Sequence, residues 1–293
     1  MIKMNKFGLT AAALALLIAQ PALAGSEYMV QGEIAVGVTS ADAHDSNDLD
    51  DETYPLIEGA ARVNIPTSSE WALQLDIDGL ATFTDRSDGE DNLQTGFTAG
   101  AHFAYRESDQ SALGFFGAIG SSNGGDDENA NFLLGGIEGQ LHANNTTLYG
   151  QFGYFNADDE TENDVITDAW IFRGVGRYFH TPDQRFQAEL TYAAGEENDS
   201  TETDIDAWGW GVRYDQRFSG SPLGWAIGYN GMQIEDSDTG GSDEVTEHTA
   251  FIAITFLFGH GTTPTLQDNN YRGATWDLPD VARMTAYTIA VVD

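Results

Sequence analysis

Residues 207–218 read AWGWGVRYDQRF. Every second residue from Trp208 (Trp208, Trp210, Val212, Tyr214) is large and apolar or aromatic. Between them stand Gly209, Gly211, Arg213, Asp215 and Arg217. A period of two reads as a β-strand with one greasy and one polar face. In a soluble sheet the charged face meets water. In a membrane barrel the greasy face meets lipid and the charged face lines the lumen. The rest of the chain decides between the two.

Working outward, the same alternation recurs in twelve segments: 28–39, 55–65, 71–84, 95–106, 111–121, 131–142, 147–156, 168–179, 185–195, 207–218, 224–234 and 247–258. Most are longer than an ordinary globular strand of about five or six residues and match the roughly nine to eleven that a tilted strand needs to cross a bilayer. Long connections (40–54, 85–94, 122–130, 157–167, 196–206, 235–246) alternate with short ones (66–70, 107–110, 143–146, 180–184, 219–223). The long ones carry 29 acidic residues and the short ones 4, so charge as well as length separates the two ends. A soluble sandwich has no reason to sort its acidic loops to one rim, whereas an outer-membrane barrel has long loops at one end and tight turns at the other. The expected fold is all-β: a transmembrane antiparallel up-and-down barrel of about twelve strands, with short periplasmic turns and long acidic extracellular loops.

Composition agrees. MIKMNKFGLTAAALALLIAQPALA has Lys3 and Lys6, an apolar run and a small-residue end, which reads as a secretory signal peptide over 1–24. The 12 basic residues less Lys3 and Lys6 leave 10 arginines against 47 acids, about −37 for the mature chain. Such a surface repels nucleic acid. With no cysteine, an exported chain has no disulfides to hold it. The barrel is expected over 25–258, followed by a C-terminal tail at 259–293 that is periplasmic or enters the lumen. Aromatic residues near strand ends (Trp71, Phe83, Tyr105, Tyr154, Trp170, Trp208, Trp225) fit belts at the two lipid interfaces.

In this pattern, over roughly residues 28–258, the chain resembles the porin-like branch of the Gram-negative outer-membrane β-barrel superfamily. The resemblance implies outer-membrane lipid, small solutes and the barrel-insertion machinery as partners. One departure is the C-terminus. Members usually end on a strand whose last residue is aromatic, but here TFLFG, with Phe256 and Phe258, is followed by residues to Asp293.

Facing lipid at mid-depth costs an arginine about 2–4 kcal/mol, so charged residues on the strands should point inward. The face assignment places Arg62, Arg106, Arg173, Arg177, Arg213 and Arg217 in the lumen, with Glu33, Glu58, Asp76, Asp78, Glu138, Glu189 and Asp215. These are the candidate lumen and selectivity residues. Inward small residues (Gly96, Gly100, Gly114, Ala118, Gly136, Gly209, Gly211, Gly228) favour an open lumen. The functional expectation is a porin-like channel for passive diffusion of small hydrophilic solutes, with an acidic mouth. The alternative is a non-conducting structural or surface-interaction barrel, closed by its charge network or its tail.

No enzyme is expected. His142 is followed by Ala143 and Asn144 rather than by the serine two residues on that outer-membrane phospholipases use, and Gly-x-Ser-x-Gly is absent from the sequence. A translocator of the autotransporter kind would require a passenger ahead of the barrel, where only a few residues separate the leader from the first strand. No cofactor is expected beyond weak divalent cation binding at DSNDLDDE (45–52), DDETEND (158–164) and DSDTGGSDE (236–244). None of these matches the calcium-loop spacing D-x-[DN]-x-[DN]-G.

Overall fold

The computed structural model describes residues 28–43, 52–85, 91–107, 110–125, 128–159, 166–197, 204–237, 242–259 and 263–285. The leader expected at 1–24 and most of the three acidic loop sequences lie outside them. The strands are β1 (Met29–Ala43), β2 (Glu52–Pro66), β3 (Trp71–Asp85), β4 (Asp91–Glu107), β5 (Ser111–Gly125), β6 (Glu128–Ala143), β7 (Thr146–Asp159), β8 (Ile166–Thr181), β9 (Gln184–Glu197), β10 (Asp204–Arg217), β11 (Leu223–Ser237) and β12 (Ser242–Gly259). Each pairs antiparallel with its sequence neighbours, and β1 closes on β12 from Met29↔Gly259 to Ala43↔Val245. Closure leaves no sheet edge with unpaired backbone groups, which lipid could not satisfy. No described helix is long and apolar enough to cross a membrane, which says nothing of strands.

The period-2 reading holds along the wall. Ile254 is 67 % exposed while Ala253 beside it is 2 %. On β10, Trp208 and Val212 face outward and Asp215 and Arg217 are buried inside. Aromatic side chains pair across strands on the outer face, as Trp71 does with Phe103 (ring centroids 4.8 Å apart) and Phe152 with Trp170 (5.2 Å). At the turn end, Asn144 takes φ 54° in the two-residue connection between β6 and β7, a left-handed conformation that asparagine tolerates.

Two expectations need correction. The strands run further at the acidic end than the sequence suggests. Within the loop expected at 122–130, for example, β5 runs on to Gly125 and β6 begins at Glu128, with Ser122 and Asn123 paired to Ala130 and Asn129. Gly, Asn and Asp are poor strand formers, so a sequence reading stops early. Once neighbouring strands are in register, the ladder satisfies each further N–H and C=O, and the wall continues.

The second correction concerns the lumen, which was expected to be lined by arginines, acids and small residues. Toward the acid end an apolar cluster that includes Phe132, Phe155, Ile171, Ile205 and Met232 points inward, beside buried polar and charged side chains such as Thr39, Ser122, Glu247 and Thr249. The sequence carried a trace of this in the runs Phe132-Leu133-Leu134 and Trp170-Ile171-Phe172, where both faces of a strand are apolar at the same height.

Candidate functional site: a lumen occupied by the C-terminal segment

Beyond β12 the chain turns into the barrel. Thr265 caps a short helix, α1 (Leu266–Arg272), with a capping box: its side chain accepts from Asp268 N, and the Asp268 carboxylate accepts from Thr265 N. This satisfies two of the N–H groups a helix start leaves unpaired. α1 sits at the turn end, where Tyr271 OH donates to Asn144 O and Asn269 Nδ2 donates to Gln31 Oε1 (2.7 Å). Residues 274–285 then ascend, nearly all buried. Thr285 accepts a hydrogen bond from Ser122 Oγ at 2.7 Å, three residues below the acid end of β5. This plug therefore passes through the lumen from the turn end into the acid-end half.

Wall side chains take the place of a strand partner for the plug backbone. The Gln74 amide donates to Trp276 O (2.7 Å) and accepts from Trp276 N (3.2 Å). Gln151 Nε2 and Tyr149 OH both donate to Asp277 O (2.8 and 3.1 Å). Arg177 Nη1 donates to Thr275 O (2.8 Å). Arg106 donates to the carbonyls of Tyr271 (3.1 Å) and Gly273 (2.7 Å). A buried, non-repetitive backbone needs such partners, because each orphaned amide costs about 1–3 kcal/mol.

Asp277 is the hub. Its carboxylate meets Arg62 Nη1 at 2.6 Å, Arg177 Nη2 in a close pair, and Arg173 Nη2 at 3.7 Å. Arg62 lies on β2 and Arg173 and Arg177 on β8, six strands apart in the closed order and so on opposite walls. Burial pushes the Asp277 carboxyl up, but the guanidiniums of Arg62, Arg177, Arg173 and Arg185 outweigh it and hold it below the usual carboxylate range. Beside it, His102 lies between two carboxylates: its Nδ1 is in hydrogen-bond contact with Glu138 Oε1 at 2.8 Å, and its Nε2 stands 3.2 Å from Asp76 Oδ2. Its ring is parallel to Trp276 (centroids 6.4 Å apart), and Tyr149 meets that indole edge-on at 5.5 Å.

Further up, Arg283 of the plug meets Glu58 of β2 in a close pair, Glu247 Oε1 of β12 at 2.8 Å and Asp280 Oδ2 at 3.0 Å. Around it the plug is apolar: Leu278, Val281, Ala282 and Met284 join the buried cluster of the wall. Two of the inward glycines make room for the plug. A Cβ on Gly100 would lie 2.7 Å from Leu278 Cδ1, and one on Gly96 would lie 3.0 Å from Ala282 Cβ. At Gly96 and Gly100 the space read from sequence as part of an open lumen holds the plug instead.

Of the candidate lumen residues, the structure gathers Glu58, Arg62, Asp76, Arg106, Glu138, Arg173 and Arg177 around the plug, with Asp78 beside Arg62 (3.7 Å) and Glu189 on Arg173 (2.6 Å). Arg213 and Asp215 stand apart in a wall network: Arg213 binds Glu33 (3.0 Å) and Asp215 (2.8 Å), and Arg185 binds the same Asp215 (3.0 Å). Arg217 is further away still, on Asp183 in the β8–β9 turn (2.7 Å). Sequence reasoning missed Arg185, Asp277 and Arg283. Arg185 was legible by parity, since it shares a face with Glu189. The other two lie in a tail without periodicity. Among the described residues no group of three or more His, Asp and Glu is arranged to hold a metal ion.

No protein-family model matches the chain, and no curated protein matches it. Among solved structures, the translocator domain of the autotransporter NalP from Neisseria meningitidis is similar over 87 % of this chain and 100 % of its own (TM-score 0.51, 10 % identity). An outer-membrane channel from Pseudomonas putida F1 is similar over 80 % of this chain and 96 % of its own (TM-score 0.50, 11 % identity). At such identities the likeness speaks for architecture alone: this chain folds as a closed twelve-stranded antiparallel β-barrel, the architecture of those outer-membrane proteins.

Proposed function

We propose that the protein is a non-enzymatic barrel of a Gram-negative outer membrane, exported by the leader at 1–24, and that its resting lumen is closed by its own C-terminal segment. The observation that carries this is Asp277, bound at once from β2 and β8 on opposite walls. A second support is that five of the six candidate arginines hold a carboxylate, while Arg106 holds plug carbonyls. Guanidiniums so engaged are not a free selectivity filter. On this reading the short turns and α1 face the periplasm and the acidic rim faces outward. Partners are lipid and, during biogenesis, the insertion machinery, and no cofactor is required.

The porin-like reading is kept for a state with the plug displaced, and the inward glycines and the charged turn-end half favour it. The test is single-channel conductance of the folded full-length protein in a planar bilayer under a salt gradient, beside an Asp277→Ala, Arg283→Ala double variant. Silence from the unaltered chain and openings from the variant are expected. Steady openings from the unaltered chain overturn the closed reading. Silence from both assigns the barrel a purely structural role.

A further inference from the structure

The last described residue of the plug is still inside the wall. Thr285 is held by Ser122, three residues within the acid end of β5, and is fully buried. Nearer the rim stand Ile166, which opens β8, and Ile205, the second residue of β10. Both belong to the same buried cluster as Val281 and Met284, and they are 0 % and 3 % exposed. At the mouth of an empty barrel such side chains would meet water. Their burial means that protein fills the lumen above Thr285 as well.

Two kinds of segment are near enough to supply that cover. The long connections at the acid end hold 29 acidic residues and a single arginine, Arg86. Folding them onto Ile166 and Ile205 would bury carboxylates without cations to pair them, which is costly. The chain beyond Thr285, by contrast, reads AYTIAVV over 286–292 and carries no charge. Fully extended, residues 286–293 reach about 26 Å, whereas the three strand residues from Ser122 to the end of β5 span only about 10 Å. Turning back is opposed by what lies below. The gap of about 180 Å³ beside the plug is lined by Glu33, Arg62, Arg185 and Arg213 among others, a poor environment for an apolar segment.

We propose that residues 286–292 continue along this inner wall and that the chain leaves the barrel through the acidic rim. Residue 293 then lies on the side of the membrane opposite to α1. The C-terminal segment is in this way more than a stopper: it threads the barrel from the turn end and presents its own end outside the cell. The proposal rests on the closed-lumen reading, because the plug clamped at Asp277 and Arg283 gives the segment its upward direction.

The chain has no cysteine, so single cysteines in the full-length protein report position cleanly. The reagent is a maleimide on a polymer too large to cross the outer membrane, applied to intact, permeabilised and denatured cells. Ser200→Cys, in the β9–β10 connection, and Thr263→Cys, exposed ahead of α1, mark the two sides. Asp293→Cys is expected to label on intact cells as fully as Ser200→Cys, and Thr263→Cys only after permeabilisation. Ala286→Cys, next to buried Thr285, should label only after denaturation. Labelling of Asp293→Cys only after permeabilisation, or only after denaturation, overturns the proposal. So does an Ala286→Cys that reacts as readily as Asp293→Cys, since the wall would then be covered by something else. Failure at these two positions, with both markers as expected and a silent bilayer, removes the threading and leaves the closed barrel standing. Openings from the unaltered chain remove the closed barrel itself.

Discussion

The two halves of the lumen hold the same plug by different physics. In the turn-end half, Asp277, Trp276 and Thr275 are fixed by charges and hydrogen bonds from named wall groups. In the acid-end half, Leu278, Val281 and Met284 sit in an apolar cluster, with Arg283 as the one charged tie to the wall among the described residues there. Packing is forgiving of small changes, whereas a buried charge network fails when one member is lost, because its partners remain desolvated and unpaired. The difference suggests that the turn-end half sets the register of the plug and the acid-end half supplies much of the burial.

The sharpest way to break that comparison is Asp277→Ala, which leaves Arg62, Arg173 and Arg177 facing one another. Loss of one partner of a buried network costs about 3–5 kcal/mol, so the largest fall in denaturant midpoint is expected here. If Leu278→Ala costs more, packing and not charge sets the register. The carboxyl also makes a pH prediction. Its folded pKa is depressed, so its stabilisation is fully present above the unfolded value of about 3.9 and is lost progressively below it. The stability gap between the native chain and Asp277→Asn should therefore be constant from pH 8 to pH 5 and narrow only below about pH 4. A gap already closing at pH 6 would show that Asp277 is not clamped.

Next in size is Leu278→Ala, a buried truncation worth about 2–4 kcal/mol. It is read in the same unfolding experiment, with bilayer silence preserved if the charged clamp holds the register. Gly100→Val places a side chain where Leu278 Cδ1 stands, and overpacking of this kind costs about 1–3 kcal/mol. Pairing it with Leu278→Ala should recover part of the loss, and additive losses would mean the two residues do not touch. The smallest effect is expected from Arg217→Ala. Its partner Asp183 is partly exposed and it touches no described plug residue, so about 1 kcal/mol and unchanged conductance are expected.

Trp208, Trp210, Val212 and Tyr214 against Arg213, Asp215 and Arg217 were enough to orient β10, and twelve such patterns with alternating connections were enough to expect the barrel. These are local signals: a period of two and a turn every hairpin. Strand ends were less legible, because pairing at the acid end overrides the weak propensities of Ser122 and Asn123. The candidate lumen residues were legible as a face but not as a site. Parity puts Arg62 and Arg177 inside without saying what they hold.

The sequence by itself determined the alternation, the antiparallel order of successive strands and the inward direction of the arginines, because each follows from neighbours in the chain. Only the tertiary structure decided that the sheet closes, that the lumen is filled and that Asp277 joins β2 to β8. Arg177 meets Asp277 from 100 residues away and Arg283 meets Glu58 across 225. No local pattern encodes contacts of that span. They exist because closing twelve strands around one aperiodic segment brings their buried charges within reach of one another, where low dielectric makes pairing imperative.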